Sequence, residues 1–109
     1  MSVDFYMKVN DTWPALQITM TYNDGTTAVN LTGGTCRFLM KSLDGAVAVS
    51  QTATIVTPAS GIVRYDWVAA DTATEGEYHA EFEATLAAGG IVSAPTNGYI
   101  NVHILRQME

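Results

Sequence analysis

Positive charge is scarce in this chain. Among 109 residues there are five Lys and Arg against eleven Asp and Glu, a formal net charge of −6 at pH 7. Nucleic acid and anionic membrane surfaces both call for clustered Lys and Arg. Here Lys8, Arg37, Lys41, Arg64 and Arg106 are scattered, so neither partner is expected. Cysteine is almost missing as well: Cys36 stands alone and cannot close an internal disulfide. No basic start leads into an apolar run, and no apolar stretch approaches the roughly 18 residues of a membrane helix. Synthesis and folding in a reducing cytoplasm are therefore expected.

Catalytic inventory is equally thin. His79 and His103 are the only histidines. A hydrolytic triad needs a nucleophile on a strained turn or beside a histidine, and the chain has no G-x-S-x-G. Ser60-Gly61 reads as an ordinary hairpin loop. Cys36 has only Arg37 as a cationic neighbour, and alternation sends that side chain to the opposite face, so the thiol reads as a small core hydrophobe. No glycine-rich phosphate loop precedes a helix. An enzyme is not expected, nor is a cofactor or a resident metal.

What the chain does contain is strand after strand. "ALQITMTY" sets Leu16, Ile18, Met20 and Tyr22 on one face. Asn23-Asp24-Gly25 then reads as a turn, followed by "TAVNL" as a short strand. "TCRFLM" aligns Cys36, Phe38 and Met40. "AVAVS" and "TATIVT" read as two short strands or one long bent one. "IVRYDW", "EYHAEFEATL", "IVSAP" and "GYINVHIL" complete the series. Turn signals recur every 8 to 15 residues, the spacing of an all-β sandwich of about 7–9 strands. At this length one domain is expected, with residues 15–106 as the sandwich and residues 1–14 as an N-terminal arm or edge strand. Pro14 marks a strand start or a sheet edge, and the terminal "RQME" reads as frayed.

Residues 60–84 hold the most regular alternation. In "GEYHAEFEATL", Tyr78, Ala80, Phe82, Ala84 and Leu86 share one face, and Glu77, His79, Glu81, Glu83 and Thr85 the other. Carboxylates on one strand face stand about 7 Å apart. A hard cation wants six to eight oxygens from a folded loop, which a flat face does not provide. The acidic row therefore reads as the wet side of a sheet, with Arg64 or Lys41 as cross-strand partners. "DTATEGEYHA" resembles the tyrosine corner of immunoglobulin-like sandwiches, in which a Tyr at the start of a late strand bonds back to the preceding loop. Ala80 occupies the position of the usual second disulfide Cys.

Taken together and in order, "DGTTAVNLTGGTCRFLMKSLDGAVAV" and "GIVRYDWVAADTATEGEYHAEFEATLAAGGIVSAPTNGYINVHI" resemble the N-terminal immunoglobulin-like domain family of phage upper-baseplate proteins. The elements shared are the Asp-Gly turn, "NLTG", "CRFLM", "GIVRYDW", "GEYHAEFE" and "NGYINVHI". The resemblance covers residues 16–105. It implies an immunoglobulin-like Greek-key β-sandwich in a bacteriophage virion structural protein, in the tail or baseplate or on the capsid surface. It further implies a protein made in the host cytoplasm, located in the virion, and acting through contacts with other virion proteins in a homo-oligomer or symmetric array.

The candidate interface residues are Phe5, Tyr6 and Trp13, an aromatic cluster in the least strand-like part of the chain, because Tyr and Trp are favoured interface anchors. They dock on a partner or pack back over one end of the sandwich. Removing residues 1–12 is expected to leave a folded domain and to weaken incorporation into particles or self-association. Tyr65 and Trp67 read as core. The alternative function is a binding module for a host-surface carbohydrate or protein. It would draw on amides, carboxylates and aromatics at a loop end, for which Asn97, Tyr99 and Asp71 are the scattered candidates.

Overall fold

Strict alternation makes Gly76–Thr85 a strand, and burial follows it residue by residue: Tyr78, Ala80, Phe82 and Ala84 are buried while their neighbours reach solvent. The same two-residue period recurs in "TCRFLM", where Cys36, Phe38 and Met40 turn inward. The computed structural model describes residues 3–22, 26–45, 48–95 and 98–106. Nine strands run through them: β1 (Val3–Lys8), β2 (Leu16–Thr19), β3 (Thr35–Ser42), β4 (Ala48–Thr52), β5 (Thr54–Thr57), β6 (Ile62–Tyr65), β7 (Gly76–Thr85), β8 (Ile91–Ala94) and β9 (Ile100–Leu105). The helical pieces among the described residues are two 3-10 turns, Pro58–Ser60 and Ala69–Thr72.

The strands form an all-β sandwich. The larger sheet runs β1-β9-β7-β3-β4, with β8 also on β7, and the smaller runs β2-β6-β5. Strands β9-β7-β3-β4 of one sheet face β2-β6-β5 of the other. All pairings are antiparallel except β1 on β9, which is parallel, with Val3 opposite Ile100 and Lys8 opposite Leu105. Strands β8 and β9 share one edge of β7: Ala94 lies opposite Phe82 and Ile100 opposite Ala80.

"AVAVS" and "TATIVT" lead into two strands in different sheets. At Ala53 the chain leaves β4 in the large sheet for β5 in the small one, and the Ala53 amide donates to the Cys36 carbonyl at 2.9 Å. On the opposite side the chain crosses from β1 to β2. Each lateral opening of the sandwich is thus bridged by a continuous stretch of chain.

Residues 27–31 do not form the expected strand. Ala28 makes a single bridge to Thr21. The Val29 amide then donates to the Met20 carbonyl at 2.9 Å and the Leu31 amide to the Pro58 carbonyl at 2.8 Å. Val29 and Leu31 are fully buried plugs. Their alternation reflects burial in a loop rather than sheet pairing. The turn at Asn23–Gly25, Ala46 and Val47 of "AVAVS", Asn97, and Gln107–Glu109 lie outside the described residues.

The core centres on Phe38. Its ring stacks on Tyr65 at 4.2 Å and meets Trp67 and Phe82 edge-on at 5.4 and 5.2 Å, geometries that add to plain area burial. Met20, Val63, Ile100 and Val102 fill the layer around it.

Candidate functional site

Strand β1 carries the first two candidate interface residues, and alternation separates them. Phe5 turns inward, half-buried, and stacks on Trp67 at 5.9 Å. Met7, on the same face, is fully part of the core. Tyr6 turns outward and is 61 % exposed. After Lys8 the chain folds sharply: Asn10 takes a left-handed φ of 69°, the Asp11 amide donates to the Lys8 carbonyl, and the Lys8 amide donates to Asp11 Oδ2. The loop is pinned to the 3-10 turn Ala69–Thr72, because the Asn10 amide donates to the Thr72 carbonyl and Thr72 Oγ1 donates to the Asp11 carbonyl. Beyond this anchor stands Trp13, 76 % exposed, joined to Pro14 by a cis peptide. Residues 3–8 are thus an edge strand of the large sheet; Tyr6 on it and Trp13 beyond it are exposed, and neither shares one local cluster with inward-facing Phe5.

The acidic row lies on the outer face of the same sheet. His103 on β9 lies between Tyr6 of β1 and Glu77 of β7 in register. Its Nε2 is 3.1 Å from Asp4 Oδ1 and its Nδ1 is 2.5 Å from Glu77 Oε1. The Tyr6 ring stacks over the imidazole at 4.4 Å, nearly parallel. The hydrogen bond to Asp4 raises the His103 pKa above the ordinary histidine value, Glu77 adds to the rise, and desolvation opposes it. One strand over, His79 stacks on Tyr99 at 4.5 Å. A shallow groove of about 510 Å³ lies beside this pair, lined by Leu39, Lys41, Leu43, Ala48, Glu81 and Tyr99 among others.

The partners expected for the acidic row need correction. Arg64 belongs to β6 in the small sheet and pairs with Asp66 on its own chain segment, at 3.0 Å. Arg37 lies opposite Glu83 in register and donates to Ser50 Oγ at 2.7 Å, and Lys41 lies opposite His79. Among the described residues no group of three or more His, Cys, Asp or Glu is arranged to hold a metal ion.

Several further side chains are architectural. Tyr78 Oη donates to the Thr74 carbonyl at 2.6 Å, so the Tyr bonds back to its preceding loop as the motif implied. Burial first, then the Asp44 charge, raises its pKa. Asp71, read from sequence as a surface candidate, is buried. Its Oδ2 accepts from Tyr65 Oη at 2.6 Å and from the Val68 amide at 3.0 Å. Burial, with Asp71 second, raises the Tyr65 pKa strongly. Cys36 is buried, and desolvation pushes its thiol up to about 11, which leaves almost no thiolate at neutral pH. Tyr65 and Trp67 are core, and Trp67 Nε1 is buried without a hydrogen-bond partner among the described residues. The Asp4–His103–Glu77 cluster escapes sequence reasoning because its members come from three strands. Asp71 left a readable signal, an acidic residue three positions after Val68 where it can accept the loop amide.

A family model described as BppU N-terminal domain matches residues 4–97 of the chain. Among solved structures, the crystal structure of CopC from Methylosinus trichosporium OB3b is similar, with a TM-score of 0.57 and 12% sequence identity over 98% of this chain and 88% of that one. At that identity the likeness concerns the sandwich fold alone. No curated protein matches the chain in sequence.

Proposed function

Because the chain belongs to the BppU N-terminal domain family, a phage baseplate upper protein family, we propose that it is a non-enzymatic structural component of the virion that holds its place by contact area, in a homo-oligomer or symmetric array. The family match over residues 4–97 carries this reading. The exposed aromatics beside the edge strand support it and suggest where the contact forms. Tyr6 projects from the edge strand and Trp13 from beyond the loop pinned at Asn10 and Asp11, and exposed aromatics are what protein interfaces favour as anchors. Phe5, which packs on Trp67, supports the surface from beneath. Stable interfaces bury roughly 1,200 to 2,000 Å² in total, within reach of one sheet face with its adjoining loop.

The test is mass spectrometry of purified particles combined with the double variant Tyr6→Ala, Trp13→Ala. The chain is expected in wild-type particles and depleted in particles assembled from the variant, while the variant itself remains folded. Absence of the chain from wild-type particles would overturn the proposal.

A second reading, recognition of a host-surface carbohydrate or protein, is favoured by the groove beside the His79–Tyr99 stack, whose volume falls in the range of small-ligand sites. It requires binding of purified host-wall glycan that is abolished by Tyr99→Ala. Failure of wild-type protein to bind such glycan would dismiss the carbohydrate form of it.

A further inference from the structure

We propose that His103 is a pH-dependent latch on the outermost strand: as a cation it ties β1 to β7 across β9, and on losing its proton it frees the end of β1 that carries Asp4 and Tyr6. The argument begins with hydrogen-bond inventory. A neutral imidazole has one N–H and one lone pair, whereas an imidazolium has two donors. In this structure both ring nitrogens face carboxylate oxygens, Asp4 on one side and Glu77 on the other. Only the cation satisfies both. The neutral ring leaves one carboxylate facing a lone pair, and two carboxylates then share a site without a charge between them. The Tyr6 ring stacked on the imidazole adds a cation–π attraction in the protonated state only.

The consequence falls on β1 because of its place in the sheet. Strand β7 is held on both edges, whereas β1 pairs with β9 alone. The two ends of β1 are also unequal. Near Lys8, buried Met7, the turn to Asp11 and the Asn10–Thr72 bond hold the chain down. Near Asp4, the holding contacts are the ladder to β9, the half-buried Phe5 ring and the His103 latch. Opening therefore starts at Asp4 and swings Tyr6 outward.

The charged and titratable groups around the ring fix the direction. Strand β1 presents Asp4 and Tyr6, with Lys8 one same-face position further along. Strand β7 presents Glu77, with His79 one such position further. On β9, Asn101 and Leu105 flank the ring, and Arg106 is engaged with Glu75 at 3.2 Å. The acidic neighbours dominate, and the proton is held more tightly than in the unfolded chain. A group with a raised folded-state pKa stabilises fully below its unfolded value, about 6.5 for histidine, and loses that contribution as pH rises through the folded value. The latch is closed in mildly acidic solution and opens on the alkaline side.

Amide hydrogen exchange of the full chain, read as protection factors corrected for intrinsic rates, tests this at about pH 5.5 and about pH 9. Protection in the Asp4–Met7 segment is expected to fall about tenfold between the two, while Phe38 and Phe82 at the sheet centre keep theirs. In His103→Gln the β1 protection is expected to be low at both values. Equal pH dependence in wild type and His103→Gln, or none in wild type, overturns the proposal. A second measurement guards against a misfolded variant: the NMR titration midpoint of His103 is expected to drop in Asp4→Asn. An unmoved midpoint also refutes the latch.

Discussion

Single residues decide more here than the strand pattern suggests. Tyr78→Phe removes the bond to the Thr74 carbonyl and keeps the ring. A loss of about 1 kcal/mol is expected, the usual net worth of one hydrogen bond, read as a lowered urea midpoint at unchanged slope. Asp71→Ala is expected to cost more, about 2–3 kcal/mol, because a buried carboxylate serving both Tyr65 and the Val68 amide is lost and both donors are left unpaired. If thermal and urea denaturation rank Tyr78→Phe as the more damaging, that assignment is wrong. Cys36 should resist a thiol reagent under native conditions and react at once in denaturant. Tyr78 and Cys36 were legible in the sequence because each depends on neighbours within a few positions. The Asp4–His103 contact spans 99 residues, and no local pattern announces a pairing of that kind.

At the scale of the element, turn chemistry and alternation located β2, β3 and β6 through β9, since each of those strands carries its own period and its own bounding loop, and left open whether β4 and β5 were two strands or one, because only Ala53 separates them. Residues 27–31, expected as a strand, and residues 3–8, expected as an arm or an edge strand, show the limits of that reading in opposite ways. Residues 27–31 alternate like a strand but spend their amides on the Met20 and Pro58 carbonyls. Residues 3–8 alternate weakly, yet form a full strand because β9 supplies a parallel ladder from the far end of the chain. The structure revises the expectation that the domain tolerates loss of residues 1–12. That truncation removes buried Met7, uncovers Trp67 beneath Phe5 and takes away the Asp11 carbonyl that Thr72 bonds. Loss of a buried Met side chain alone costs about 2–5 kcal/mol, so a melting temperature well below that of the full chain is expected. Gly61→Ala tests another joint. Gly61 sits at φ 69°, and a Cβ there would meet the Met20 and Val29 carbonyl oxygens at 2.8 Å. The variant should be destabilised by more than 1 kcal/mol, through left-handed strain and that clash. A neutral result in calorimetry would mean the loop relaxes freely.

For the whole molecule, the acidic balance gives a simple expectation. Glu77 is occupied by His103, and no metal-holding cluster forms among the described residues. Millimolar calcium should therefore leave the melting temperature within about 1 °C of its metal-free value, whereas specific binding to the native state would raise it. A rise of several degrees that vanishes in Glu81→Gln would place a cation on the acidic face. The parallel pairing of β1 with β9 bears on a different property, response to tension. The two strands run in the same direction, so the chain enters β1 at one end of the ladder and leaves β9 at the other. Traction applied through the flanking backbone would slide β1 along β9, loading the six registered pairs from Val3–Ile100 to Lys8–Leu105 together. An antiparallel terminal pair would instead peel apart one bond at a time. In a body 47 Å long and about half as wide, that arrangement makes the domain a stiff tensile link, and single-molecule pulling should find it ruptures in one high-force step.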